Sequence, residues 1–208
     1  RKQEAAIEKR LKKALRRFAI YNEWLKDVKG VGPIAAATII SSFDIHKATT
    51  VSKMWQYAGL NPGMVRGKKR KDRADGGFDV IVSDKMIRGD KLTAGFIAPF
   101  NKTLRTSLCG VLADGFIKAQ APHALQYYYP YKERLAQSES QTQEIRKAGA
   151  KAETLAWKDA KLGHRDRAAK RYMIKMFIRD LYEAWRTIEG LEVRPPYQEQ
   201  YLGHKHAQ

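Results

Sequence analysis

The stretch Leu25-Lys26-Asp27-Val28-Lys29-Gly30-Val31-Gly32-Pro33 decides how the chain divides. A glycine following an apolar helix end suits the left-handed C-cap position, and a proline suits the first turn of the next helix. Leu25 and Val28 lie on one side and the Ala-rich run from Ile34 to Ser42 on the other, so the stretch predicts two helices joined by a tight turn, a helix-hairpin-helix. Gly30 and Gly32 let the backbone turn and approach a ligand closely. Amides at the start of the second helix then face outward, where the helix dipole favours an anion. Lys29 and the Gly30-Val31-Gly32 backbone form a predicted phosphate contact that positions a nucleic acid without reading its bases. A plain connecting turn would use the same glycines.

Upstream, Ile7, Leu11, Ala14, Phe18, Tyr21, Leu25 and Val28 step by 4, 3, 4, 3, 4, 3, with mostly Lys, Arg and Glu between them. That pattern predicts one helix over residues 2–28, either lying on its own core or forming a coiled coil with a partner. Residues 1–28 are therefore expected to be a connector helix, through which the chain forms a homo-oligomer. Downstream, Val51, Met54, Trp55 and Ala58 predict a helix over residues 50–60, stopped by Asn61-Pro62-Gly63. Residues 64–90 are expected to be a basic loop, in which Phe78 to Ser83 alternates weakly and could make a short strand. Leu104 to Ala119 predicts an apolar helix, and residues 132–160 a charged surface helix or helix pair.

Ala169, Tyr172, Met173, Met176, Phe177, Leu181, Ala184 and Trp185 form the apolar stripe of a long amphipathic helix from Gly163 to Ile188, with Arg167, Arg171, Lys175 and Arg179 rising along another face. The predicted class is all-α: a long N-terminal helix, then a helix-hairpin-helix domain over residues 29–190, then an extended tail over residues 191–208 containing His204 and His206.

Charge bounds the partners. The 208 residues include 40 Lys and Arg against 22 Asp and Glu, a net charge of +18, while 43% hydrophobic residues allow a core. A field this positive gathers polyanions. Arg66, Lys68, Lys69, Arg70, Lys71 and Arg73 make the densest cluster, and Arg105 joins the row on the last helix as a further candidate contact. Nucleic acid is the expected partner. No membrane partner is expected, because the longest nearly unbroken apolar stretch, Val31 to Ile40, is half of what a span needs. The expected location is the cytoplasm, with the nucleoid.

Chemistry-bearing groups are sparse. Cys109 is the single cysteine, which excludes an internal disulfide and a cysteine-based zinc site. Asp72, Asp75, Asp79 and Asp84 crowd a Gly-containing stretch and are expected to balance its cations, so no metal ligand or cofactor is assigned to this chain. His164, His204 and His206 lack zinc-site spacing. Ser83 and Ser107 are candidate nucleophiles only as hydroxyls, with no base identifiable beside either.

Taken in order, several blocks resemble the C-terminal domain of the IS one-ten/IS one-sixteen type of insertion-sequence transposases. They are Leu25 to Pro33 leading into Ala35-Ala36-Ala37, Trp55-Gln56-Tyr57-Ala58-Gly59-Leu60-Asn61-Pro62, Asn101-Lys102-Thr103-Leu104-Arg105, Tyr131 to Leu135, and Ala168-Ala169-Lys170-Arg171. Together they span most of residues 20 to 190. The resemblance implies a recombinase acting on DNA as an oligomer, guided by a structured RNA. It also implies an acidic RuvC-like domain elsewhere that would bind Mg²⁺. The family's nucleophilic serine follows the Gly-Leu-x-Pro block, just before a glycine. Here Arg66 precedes Gly67, and no serine lies between Ser52 and Ser83. The expectation is a DNA-binding, transposase-like chain without strand transfer of its own. The alternatives are an active serine recombinase with displaced catalytic residues and a structural RNA-binding subunit of a ribonucleoprotein.

Overall fold

The computed structural model describes residues 2–145 and 151–195. Helix α1 (Lys2–Leu15) stops well short of the hairpin turn, and α2 (Ala19–Glu23) and a single 3-10 turn, Leu25–Asp27, complete the approach to it. The single helix expected over residues 2–28 is therefore broken. Leu15 and Ile20 are both buried, and five residues of unbroken α-helix would set them about 140° apart. The chain leaves the helix at residues 16–18 to bury both, and Asn22 Nδ2 ties the bend by donating to the Arg16 carbonyl at 2.8 Å. Three members of the expected seam, Ile7, Ala14 and Phe18, stay exposed.

Helix α3 (Pro33–Ser42) begins with proline in its first turn, as expected, and packs on α1. Gly30 has φ +95°, the left-handed conformation that the turn requires. A methyl group there would lie 2.7 Å from Phe116 Cδ1 and 3.2 Å from Phe116 Cα. The close approach made possible by this glycine is thus to the protein's own core. Helix α4 (Val51–Tyr57) buries Val51, Met54 and Trp55.

The all-α expectation is overturned by two antiparallel two-stranded sheets, β1 (Met64–Asp72) with β2 (Phe78–Arg88) and β3 (Gln141–Glu144) with β4 (Glu153–Ala156). The first occupies the segment read as a basic loop. Lys-rich β1 has little strand preference of its own, and it is held by pairing with Val80, Ile81 and Val82 of β2. The reversal turns on Gly76 at φ +82°, and Asp75 Oδ1 accepts from the Gly77 amide at 2.9 Å. The second sheet takes the place of the surface helix expected over residues 132–160, of which only α7 (Tyr129–Gln137) is helical beyond a 3-10 turn at Trp157–Asp159.

Residues 102–118 are helical as expected, with α5 (Lys102–Thr106) and α6 (Ala113–Lys118) joined through a π segment, Ser107–Leu112. A second π segment, Ala124–Tyr128, leads into α7. Helix α8 (Leu162–Ile188) runs through the core. Met173, Ile174, Met176, Phe177, Ile178 and Leu181 are fully buried, so the helix is apolar nearly all round at its middle. Phe177 meets Trp24 in a stacked contact at 5.8 Å and Phe116 edge-on at 5.2 Å, which joins α8 to the segment before the hairpin turn and to α6. Gly190, at φ +64°, follows the helix end, and residues 191–195 have no regular structure. The remaining tail, residues 196–208, lies outside the described residues. Among the described residues no helix is long and apolar enough to cross a membrane.

The two hairpin glycines are expected to respond differently to substitution. Gly30→Ala should lower unfolding free energy by about 2 kcal/mol, combining left-handed strain with overlap onto Phe116. Gly32 has φ −84° and open space around its Cα, so Gly32→Ala should change stability by no more than about 0.5 kcal/mol. Urea unfolding at constant m-value measures both, and equal losses at the two positions would contradict this packing.

Candidate nucleic-acid interface

At the hairpin turn, Lys29 and Gly32 are exposed while Gly30 and Val31 are half-buried. Gly32 is the N-cap of α3 and makes no side-chain cap, and Pro33 removes one amide donor from the first turn. Only a short helix and a 3-10 turn precede the turn, so the motif is a truncated helix-hairpin-helix.

The row expected along α8 does not form a solvent-facing ridge. Lys175 Nζ sits 4.4 Å from the centre of the Trp55 ring, and burial lowers its pKa. Arg179 donates to Asp180 at 2.9 Å and to the Tyr127 hydroxyl at 3.0 Å. Both cations serve the fold. Arg167 and Arg171 behave differently, because among the described residues neither is hydrogen-bonded or ion-paired to another side chain.

These two arginines lie on the floor of a cavity of about 650 Å³. Arg105 from α5 enters it, Arg88, Asp90 and Lys91 come from the end of the β1–β2 ribbon, and β3 and β4 supply Gln141, Thr142, Gln143 and Thr154. Arg105 is positioned by donating to the Asp90 carbonyl and by lying 4.8 Å over the Phe100 ring. Arg88 and Asp90 pair through two bonds of 2.9 Å. Asp90 is thereby engaged, and among the described residues Lys91, Arg105, Arg167 and Arg171 form no ion pair. Arg171 carries the consequence. Burial lowers its pKa first, and Arg105 and Arg167 add repulsion that Cys109 and Asp90 oppose. Cys109 lines a smaller adjoining cavity, and burial raises its thiol pKa, so it is not an activated nucleophile.

Arg105, Arg167 and Arg171 were legible in the sequence as separate candidates, and the fold brings them together. Arg88, Lys91 and His164 were missed. Arg88 ends β2 and Lys91 lies just beyond it, where a loop is expected from the sequence, and a lone histidine carries no pattern.

The other basic candidates, Arg66, Lys68, Lys69, Arg70, Lys71 and Arg73, lie on β1 and its turn, all exposed. Arg70 bonds Asp72 at 2.6 Å, and Arg73 reaches Asp75 at 3.3 Å and Asp79 at 3.2 Å. Those aspartates are therefore engaged with the ribbon's own cations. Among the described residues no three His, Cys, Asp or Glu side chains group as metal ligands. Ser83 Oγ accepts from the Lys85 amide at 3.3 Å, and Ser107 lies half-buried in a π segment. Neither hydroxyl meets a His, Asp, Glu or Lys side chain among the described residues.

No protein-family model, curated protein or solved structure matches this chain.

His164 offers a readout of the cavity. Its Nε2 lies 3.1 Å from Thr142 Oγ1 and its ring stacks on Trp157 at 5.0 Å. Burial first, then Arg167 and Arg171, holds its pKa below 6.5, against an opposing pull from Glu144. An anion seated in the cavity raises that pKa again, so binding takes up a proton and tightens as pH falls from above 6.5 toward the lowered value. His164→Gln is expected to flatten this part of an affinity–pH profile. An unaltered profile in the variant would place the anion elsewhere.

Proposed function

We propose that the chain is a transposase-like protein that holds duplex DNA by its backbone phosphates and performs no strand transfer with its own residues. The observation that carries this proposal is the cavity in which Lys91, Arg105, Arg167 and Arg171 converge without a counter-charge of their own. Holding guanidinium groups in a half-buried space costs desolvation, and burial is the first cause of the lowered pKa of Arg171, with Arg105 and Arg167 adding repulsion. A phosphate ligand relieves that repulsion, and the planar guanidinium matches phosphate oxygens in pairs. The β1–β2 ribbon ends at the cavity wall through Arg88, which links the two basic surfaces. The blocks that resemble insertion-sequence transposases supply the choice of DNA, and the lack of a base beside Ser83 or Ser107 supports a binding role.

Equilibrium binding of a random 30-base-pair duplex across a salt series tests the proposal. If six to eight phosphates are engaged, the slope of log K against log salt is about −5 to −7. Replacing Lys68, Lys69 and Arg70 by Ala should flatten it by about 2 to 3 units. An unchanged slope makes the ribbon a bystander. Negligible duplex binding alongside tight binding of a structured RNA competitor would overturn the DNA assignment in favour of a ribonucleoprotein role.

A further inference from the structure

The β1–β2 ribbon presents two unlike sides. Successive strand residues alternate sides, and directly paired residues share one. The pairs Lys69 with Ile81 and Val65 with Ile87 therefore lie on one side, together with Gly67. That side is anchored at its base. Ile87 and Gly67 are buried, Phe96 fills the space beside Gly67, and Lys69 Nζ lies 5.1 Å from the Phe96 ring centre. The Ile97 amide also donates to the Lys68 carbonyl at 2.7 Å, fixing one ribbon edge against the body.

On the opposite side stand Arg66 with Met86, Lys68 with Val82, Arg70 with Val80, and Asp72 with Phe78. It is cationic along β1 and apolar along β2, with Val80 52% and Val82 54% exposed, and Arg66, Lys68 and Val80 rim an open recess of about 460 Å³ that Gln56, Ala98 and Pro99 of the body also line. A free hairpin gains nothing from exposing four apolar side chains in a row, so this side is a contact surface.

We propose that this side of the ribbon enters the major groove of B-form duplex DNA, where Val80 and Val82 meet thymine methyl groups and Arg66 and Lys68 meet guanine edges or phosphates. Three features select this occupant. A two-stranded ribbon fits the width of that groove, and the thymine methyl is the apolar group displayed there. The cations have chemical partners in the groove, whereas a second copy of the chain docked across a two-fold axis would face Arg66 and Lys68 with their own like charges. Among the described residues, neither of these two side chains forms an ion pair. The narrow major groove of A-form RNA excludes a ribbon, so the same surface favours DNA over double-stranded RNA. The inference rests on the duplex binding proposed above and adds the groove and the base feature contacted.

The test compares two 30-base-pair random duplexes, one containing thymine and one with uracil in every thymine position, against the full chain and the Val80→Ser/Val82→Ser variant. Both valines are exposed, so their truncation leaves the core intact, which thermal unfolding verifies, and cross-strand nuclear Overhauser contacts verify that the β1–β2 pairing survives the loss of two β-branched residues. The unaltered chain should bind the uracil duplex more weakly, roughly four-fold for each methyl in contact. The variant should bind the two duplexes alike, with its salt slope unchanged. Equal binding of both duplexes by the unaltered chain would overturn the proposal, as would a thymine preference surviving in the variant. A shift in oligomeric state in the variant, with no thymine preference in the parent, would assign the surface to a second copy. Duplex binding without thymine discrimination removes this inference alone, whereas no duplex binding at any salt removes it together with the function on which it rests.

Discussion

Burial of α8 is the constraint on which the other elements depend. From Met173 to Leu181 the helix is closed off nearly all round, so any cation it carries there must find a partner within the protein or lie toward an end. The C-terminal half takes the first course. Arg186 donates to the carbonyls of Ile45 and Ala48 at 3.1 and 3.2 Å, and the Tyr182 hydroxyl donates to the Thr49 carbonyl at 3.0 Å, pinning the segment before α4. Toward the N-terminal half, Arg167 and Arg171 have no such partner among the described residues and line a cavity with Arg105. One helix therefore divides its positive charge between building the fold and lining a cavity.

The parts of the fold that burial periodicity governs were legible. The stripe of α8 and the helix containing Trp55 have apolar spacings that match the sides they bury, while α3 was marked by Pro33 and its Ala-rich composition. Two features escaped for physical reasons. The seam from Ile7 to Val28 is periodic, but the burial of both Leu15 and Ile20 outweighs helix continuity and breaks it at residues 16–18. The ribbon escaped because β1 is mostly Lys and Arg, and its strand state is imposed by the partner it pairs with. The Asp75-Gly76-Gly77 turn between the two strands was the available signal, since a short Gly-containing reversal between runs of residues is a hairpin marker.

The site shows the same division. Each arginine of the cavity sits in a basic or helical stretch that composition alone singles out, yet their convergence depends on distant segments, with Arg105 and Arg171 separated by α6, α7 and the β3–β4 sheet. A helical-face argument placed Arg167, Arg171, Lys175 and Arg179 in one row, correctly for spacing. It could not show that Trp55 and Asp180 engage the last two. Likewise, Gly30 was legible as a left-handed turn glycine, while the object of its close approach, Phe116, comes from another helix.

The cationic cavity and the amphipathic ribbon meet at Arg88, and under the proposed function the cavity arginines hold an external phosphate. The most direct measurement is the guanidinium Nε–Hε NMR signals of Arg105, Arg167, Arg171 and Arg186 during titration with a short DNA duplex. The first three are expected to shift and sharpen as phosphate oxygens immobilise them, while Arg186, already held by backbone carbonyls, stays where it is. If duplex binding leaves the signals of Arg105, Arg167 and Arg171 unmoved, the cavity is not the phosphate site and the proposed function is contradicted.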